Sequence, residues 1–320
     1  MTTHSSKRQD PKSKRSIIPW LLESDPSIRW QVMRDLTDAT DEEIAAERAK
    51  VATEGWGARL LARQEEDGHW GGDPSNPEWT CLLHLLWLQE MGLDPQSEEA
   101  RRAVTLVRDN VTWHWWDNHP FFVGEVEPCI NGRIVRIGAY FGQDVQGLVD
   151  RLLGEQMDDG GWNCEQENGS TRGSVHTTIN VLEGLLEYER GMGGSAEVRE
   201  ARLRGESYLL ERRMLRRQST GEIIDAAFTQ LSFPTGYHYD VLRGLDYMRS
   251  AKVVADDRVA EAVELIGSKR NADGQWPLEN PHPDQLDVAM DPGEGQPSRW
   301  NTLRALRVLD WYSARDERGA

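Results

Sequence analysis

Gln64-Glu65-Glu66-Asp67-Gly68-His69-Trp70 recurs as Gln156-Met157-Asp158-Asp159-Gly160-Gly161-Trp162, and again, with Arg in the leading place, as Arg270-Asn271-Ala272-Asp273-Gly274-Gln275-Trp276. The first two copies start 92 residues apart and the last two 114 apart, about twice the period expected of a two-helix repeat. Each copy closes a helix-like stretch, makes a glycine turn and runs through a polar loop into a second helix. Degenerate units fill the gaps at 113–141 and 220–248, each an aromatic loop leading into a helix.

The second helices begin at Glu78-Trp79-Thr80-Cys81, Cys129-Ile130-Asn131-Gly132, His176-Thr177-Thr178-Ile179, His238-Tyr239-Asp240-Val241 and Trp300-Asn301-Thr302-Leu303. In the third, Val175, Ile179, Leu182 and Leu186 share one face at helical spacing, the mark of a helix packed against a core. Between these units lie charged amphipathic stretches, 98–110 and 255–268, which read as outer helices with one solvated face. No stretch alternates with period two between turn residues. Ten to twelve antiparallel helices closing on themselves predict an all-α chain, an α/α toroid of five or six helix pairs. It forms one domain over residues 17–320, after a disordered basic tail over 1–16.

Composition narrows the function. The chain has 320 residues, 38% of them hydrophobic, with 54 acidic side chains against 37 Lys and Arg for a net charge of −17. A surface of that sign repels polyanions, which argues against nucleic acid as a partner. No apolar run approaches the ~18 residues of a membrane-spanning helix. Three cysteines, Cys81, Cys129 and Cys164, are too few for a disulfide framework, and their odd number suits a reducing, cytoplasmic setting. Thirteen tryptophans against five phenylalanines are unusual, and three of those tryptophans close the repeats.

With these residues in hand, the chain resembles the terpenoid cyclase and protein prenyltransferase superfamily over roughly residues 64–312. The Gln-x-x-Asp-Gly-x-Trp segments look like the QW motifs of squalene and hopene cyclases, in which the Gln bridges to a neighbouring helix end and stacks on the Trp. The resemblance implies the toroid and an isoprenoid-like, apolar small-molecule substrate. The Asp-x-Asp-Asp segment that supplies the starting proton in squalene-cyclase-type enzymes has no counterpart: Asp158-Asp159 and Asp256-Asp257 both lack the leading Asp. The paired Asp-rich Mg²⁺ signature of ionising terpene synthases is also not evident.

The prenyltransferase branch implies a different site. Val175-His176-Thr177-Thr178-Ile179 with Leu182-Glu183-Gly184-Leu185 resembles its His-Thr, Leu-x-Gly-Leu stretch, and Glu127-Pro128-Cys129 resembles its Asp-x-Cys with Glu for Asp. That branch binds Zn²⁺ through such residues, so the resemblance implies zinc on Glu127, Cys129 and His176, with His238 as a further ligand. Pro128 is expected at the first helical position, leaving Glu127 as the cap and Cys129 in the first turn. Cys164 is a rival thiol. Arg133 and Arg136 follow Cys129 at i+4 and i+7; they would hold a substrate anion or pair with carboxylates such as Glu183 or Glu187. Catalytic roles thus fall on Cys129, His176, Arg133, Arg136 and His238, gathered at one mouth where the inner helices start, with aromatics deeper in. The aromatic stretch from Trp113 to Phe122 is either the wall of an apolar pocket or a packed seam between repeats, and the proline-rich connection 277–297 is long enough to serve as a lid. Two other functions fit the same scaffold: a non-catalytic binding or scaffold protein, and a carbohydrate-active (α/α)₆ enzyme.

Overall fold

A computed structural model of the chain describes residues 11–71, 76–282 and 288–318. The expected basic tail falls largely on residues 1–10, outside the described residues, while 11–16 belong to the first helix. The helices are α1 (Pro11–Leu22), α2 (Pro26–Leu36), α3 (Asp41–Ala49), α4 (Gly55–Leu61), α5 (Pro77–Met91), α6 (Glu98–Asn110) and α7 (Pro128–Tyr140). They continue as α8 (Gln146–Gly154), α9 (Val175–Met192), α10 (Ala196–Glu211), α11 (Val241–Ser250), α12 (Ala260–Ser268) and α13 (Arg299–Arg318). Strand structure among the described residues is limited to two ladders of two-residue strands, Thr112–Trp113 with His119–Pro120 and Trp276–Pro277 with Pro297–Ser298. No helix among the described residues is long and apolar enough to cross a membrane.

Six helices, α2, α5, α7, α9, α11 and α13, form an inner ring, and the ring closes through side chains. Trp30 of α2 donates its indole N–H to the Met91 carbonyl of α5 at 2.8 Å. Arg136 of α7 reaches Glu90 of α5 at 3.0 Å and Glu183 of α9 at 2.9 Å. Arg243 of α11 meets Glu183 from the other side at 2.7 Å. Arg304 of α13 lies 3.7 Å from Asp246 of α11, and Arg307 of α13 donates to Gln31 of α2 at 2.9 Å. The expected toroid is the observed architecture, and α2, which carries no repeat motif, supplies its sixth inner helix.

The repeated segments work as joints. The indole N–H groups of Trp70, Trp162 and Trp276 donate to the carbonyls of Leu60, Leu152 and Ile266 at 2.8, 2.7 and 2.7 Å. In each copy the acceptor lies ten residues upstream, at or near the end of an outer helix. All three rings are buried, so each contributes a large apolar area and keeps its one polar atom satisfied. The side-chain amides of Gln64 and Gln156 each bridge two carbonyls: their own turn, Gly68 and Gly160, and the next outer helix, Ala103 and Ala201, at 2.8–3.1 Å. The turn glycine has φ near +85° to +90° in all three copies, a region closed to most side chains.

Two inner helices approach unusually closely. A Cβ on Gly132 of α7 would sit 2.7 Å from the Asn180 carbonyl oxygen of α9, and one on Gly184 of α9 would meet the Gly132 carbonyl oxygen at 2.2 Å. These mutually facing glycines bring the backbones of α7 and α9 together and draw in the ring beside Arg136 and Glu183.

Candidate functional site

The ring encloses a chamber of about 390 Å³ among the C-terminal halves of α2, α5, α7, α9 and α11 and the first turns of α13. This chamber lies toward the ends of the inner helices rather than at their starts, where the site was expected. The C-terminal end of a helix carries partial negative charge, so the five such ends converging there favour cations. The sequence supplies them as arginine. Eight arginines line the chamber against four carboxylates, with Trp30, Tyr140, Leu186 and Trp300 among the less polar lining.

The carboxylates are not equivalent. Burial opposes ionisation of Glu183, but Arg243 and Arg136 overcome it and take the carboxyl down to about 2. Asp246 is likewise held below its ordinary value by Arg249, Arg304 and Arg307, against burial. Both stay ionised at neutral pH. Burial moves Glu187 the other way, upward, with Arg136 and Arg190 opposing.

Three polar atoms on the chamber residues are buried and have no partner among the described residues: Gln89 Oε1, Trp300 Nε1 and Arg307 Nε. All three side chains are more than nine-tenths buried. Burial pulls the Arg307 guanidinium down to about 10, although Asp35 and Asp246 favour its charge. A buried donor left unpaired costs on the order of 1–3 kcal/mol, and two of these three atoms are donors.

The residues singled out from sequence separate into three places. Arg136 lines the chamber and pairs with Glu183, as one of the two alternatives had it. Arg133, one turn earlier on α7, is buried, lies 5.3 Å from the Trp79 ring and donates to the Cys129 carbonyl at 3.3 Å. His176 and His238 form a second group. The His176 ring lies 5.9 Å from the His238 ring, which stacks on His282 at 4.0 Å. His176 Nδ1 accepts the Tyr239 amide N–H at 2.9 Å. His238 does not open α11, which starts at Val241 behind an Asp240 cap. Desolvation and the neighbouring His282 and His176 push His238 down to about 4.

Glu127 and Cys129 form the third group. Pro128 does begin α7 with Glu127 at the cap position, and Cys129 Sγ donates to Glu127 Oε2 at 3.4 Å. Cys164 joins them. Glu127, Cys129 and Cys164 are the one set of three or more His, Cys, Asp or Glu among the described residues whose ligand atoms all lie within 4.8 Å of one another. The zinc set that the resemblance implies is therefore divided: the thiol and carboxylate sit with a second thiol, and neither His176 nor His238 completes that group. The arrangement does not fit a four-residue Glu–Cys–His–His centre.

The aromatic stretch is also divided. Trp113 is buried, stacks on Phe121 at 5.4 Å and donates to its carbonyl at 2.9 Å, whereas Trp115 and Trp116 are exposed. None of these lines the chamber, so Trp113 with Phe121 makes a seam rather than a ligand wall. Of the chamber residues, Gln89, Arg243, Trp300 and Arg307 were not anticipated. Their signal was charge and amide groups at inward positions of otherwise apolar helices, which periodicity alone treats as exceptions.

No family model matches the chain, and no curated protein matches it. Solved structures of similar shape include a variant of the type II terpene cyclase MstE from Scytonema in complex with its product, merosterolic acid A, at 14% identity and a TM-score of 0.48. They also include the apo form of MstE, at 14% and 0.47, and another variant in complex with the substrate geranylgeranyl dihydroxybenzoate, at 16% and 0.48. Each match covers 95% of this chain and 97% of the other. Identity at this level says nothing of shared chemistry.

Proposed function

We propose that the protein binds, in its central chamber, a small molecule with an oxyanion head and an isoprenoid-like body. The observation that carries this is the chamber wall: arginine in excess over carboxylate, with the Trp300 and Arg307 N–H donors buried and unpartnered beside it. Donors without acceptors, in a basic enclosure of an acidic protein, suit a carboxylate, phosphate or diphosphate. The volume lies near the lower end for small-molecule sites. The isoprenoid part of the reading rests on the repeat resemblance, and Trp30, Leu186 and Trp300 offer it surface.

The same wall favours recognition over proton-initiated chemistry, because arginines hold Glu183 and Asp246 as carboxylates. A second reading attaches to Glu187, whose burial raises its pKa and would make it the proton donor if the bound molecule is turned over.

The test is calorimetric titration of the full chain with farnesyl diphosphate, inorganic diphosphate and farnesol. Farnesyl diphosphate should bind best, inorganic diphosphate more weakly, and farnesol least, with Trp300→Phe weakening the two anions. Farnesol binding as tightly as its diphosphate, or none of the three binding, would overturn the proposal. Product formation that Glu187→Gln abolishes would establish the second reading.

A further inference from the structure

Cys129 and Cys164 lie on different segments, and the fold brings them together away from the chamber. Cys129 is buried in the first turn of α7. Cys164 is half-buried, opens a short turn at Cys164–Gln166, and lies 3.4 Å from Thr177 Oγ1 of α9. The two sulfurs are within 4.8 Å of each other and of a Glu127 carboxylate oxygen.

Access to the pair is one-sided. A surface pocket of about 270 Å³ is lined by Cys164, Glu127, Asn163 and Gln166, and Cys129 is not part of its wall. Solutes therefore reach Cys164 first, while Cys129 stands behind it. The hydrogen bonding divides the pair in the same direction: the Cys129 thiol donates to Glu127 Oε2 at 3.4 Å, whereas the Cys164 sulfur lies against the Thr177 hydroxyl at 3.4 Å. The Arg133 guanidinium carries its charge beside both sulfurs. The third cysteine, Cys81, is buried elsewhere, and desolvation pushes it up to about 12.

We propose that Cys164 and Cys129 form a hydroperoxide-sensitive dithiol, with Cys164 the attacking sulfur and Cys129 the resolving one. In the first step the Cys164 thiolate attacks the terminal oxygen of a hydroperoxide. The O–O bond breaks, leaving Cys164 sulfenic acid, and the departing alkoxide takes a proton to become an alcohol. In the second, the Cys129 sulfur attacks the Cys164 sulfur; the S–O bond breaks, the hydroxide leaves with the thiol proton as water, and the S–S bond forms. The two cysteines together lose two electrons, which the peroxide accepts. The sulfurs must close to about 2.05 Å, and the Cys164–Gln166 turn, outside any long helix, is the segment that moves. The disulfide then ties the loop after Trp162 to the start of α7.

The experiment treats the full chain with one equivalent of hydrogen peroxide, quenches it, alkylates free thiols and maps the peptides without reduction. A Cys129–Cys164 linked peptide should appear and vanish with dithiothreitol, while Cys81 remains alkylated. In Cys129→Ser, Cys164 should accumulate as a sulfenic acid trapped by dimedone. In Cys164→Ser, Cys129 should stay reduced. Sulfenic acid forming on Cys129 in Cys164→Ser would overturn the assigned roles. Failure of the linked peptide to form, or zinc at one per chain in the untreated protein and released by the oxidant, would overturn the dithiol and point to a metal site on the same sulfurs.

Discussion

Arg243 and Glu183 meet in a two-point ion pair, Nε to Oε1 at 2.9 Å and Nη2 to Oε2 at 2.7 Å, across the join between α11 and α9. Arg136 holds the same carboxylate from α7, so one buried acid links three of the six inner helices. Removing a partner from a buried ion pair costs on the order of 3–5 kcal/mol, because the remaining charge is left uncompensated. Glu183→Gln should destabilise the protein by about that much in urea unfolding. A loss within experimental error would mean the ring is held by packing alone.

His238 and Glu183 should each weaken the fold in acid, over separate pH windows. His238 is lowered from 6.5 to about 4 in the folded chain, so between those values the unfolded state binds a proton that the folded state does not, and stability falls as pH falls. Glu183 is lowered from 4.5 to about 2, so its stabilising contribution is present above 4.5 and is lost as pH drops toward 2. Glu125 and Asp291, which burial raises to about 7 and about 6, act in the opposite sense over the first window, so the His238 contribution is read as a difference in melting temperature. The change between about pH 6.5 and 4 should be less unfavourable in His238→Gln than in the wild type, with the lower window unchanged.

The indole joints should be the most expensive aromatic sites to truncate. Trp162→Ala and Trp70→Ala each delete a buried ring and are expected to cost about 3–5 kcal/mol. Trp162→Phe keeps most of the apolar area but leaves the Leu152 carbonyl without its donor, so its cost should be nearer 1 kcal/mol. Chemical denaturation of the three variants checks the order. Equal losses in the Ala and Phe variants at residue 162 would assign the joint to the hydrogen bond rather than to packing.

Gly160→Ala tests the turn. Its φ is +85°, and a Cβ there would sit 2.7 Å from the Arg204 carbonyl oxygen of α10. Strain and overlap add, so a loss exceeding 1 kcal/mol is expected, read as a lower denaturation midpoint. Gly169→Ala is the control, since its φ is +91° but its Cβ would meet nothing within 4 Å. It should show the backbone cost without the clash.

Binding in the chamber should respond to salt. An oxyanion held by arginines near a solvent-facing mouth loses affinity as ionic strength rises, so the affinity for diphosphate ligands should fall between low and physiological salt. Arg34→Gln, at a half-exposed position of the lining whose ion pair is with Asp35, should reduce both affinity and salt dependence. An affinity indifferent to salt would place the contact on the apolar residues instead.

The repeated Asp-Gly-x-Trp turns, the start of α7 at Pro128 and the inner stripe of α9 were legible because each rests on interactions within a few residues: a positive φ at glycine, a proline at the first helical position, an apolar face at helical spacing. Closure into a ring also followed, since repeated antiparallel helix pairs bury their apolar faces by packing side by side. The position of α2 beside α13 was not legible, because Arg307 and Gln31 are 276 residues apart and no local pattern announces their contact. The same applies to the chemistry. The starts of the inner helices share one end of the ring, which is why the sequence groups Cys129, His176 and His238. The three-dimensional packing then sorts them by contacts along and across the helices. Cys164 arrives beside Cys129 from the loop before α9, and His282 stacks on His238 from the connection before α13. Arginines spread over α2, α7, α9, α11 and α13 and over the α3 segment converge on one chamber. Each long-range meeting depends on which faces of the helices turn inward and how closely glycines let them approach. Those quantities belong to the assembled ring, not to any segment of the chain.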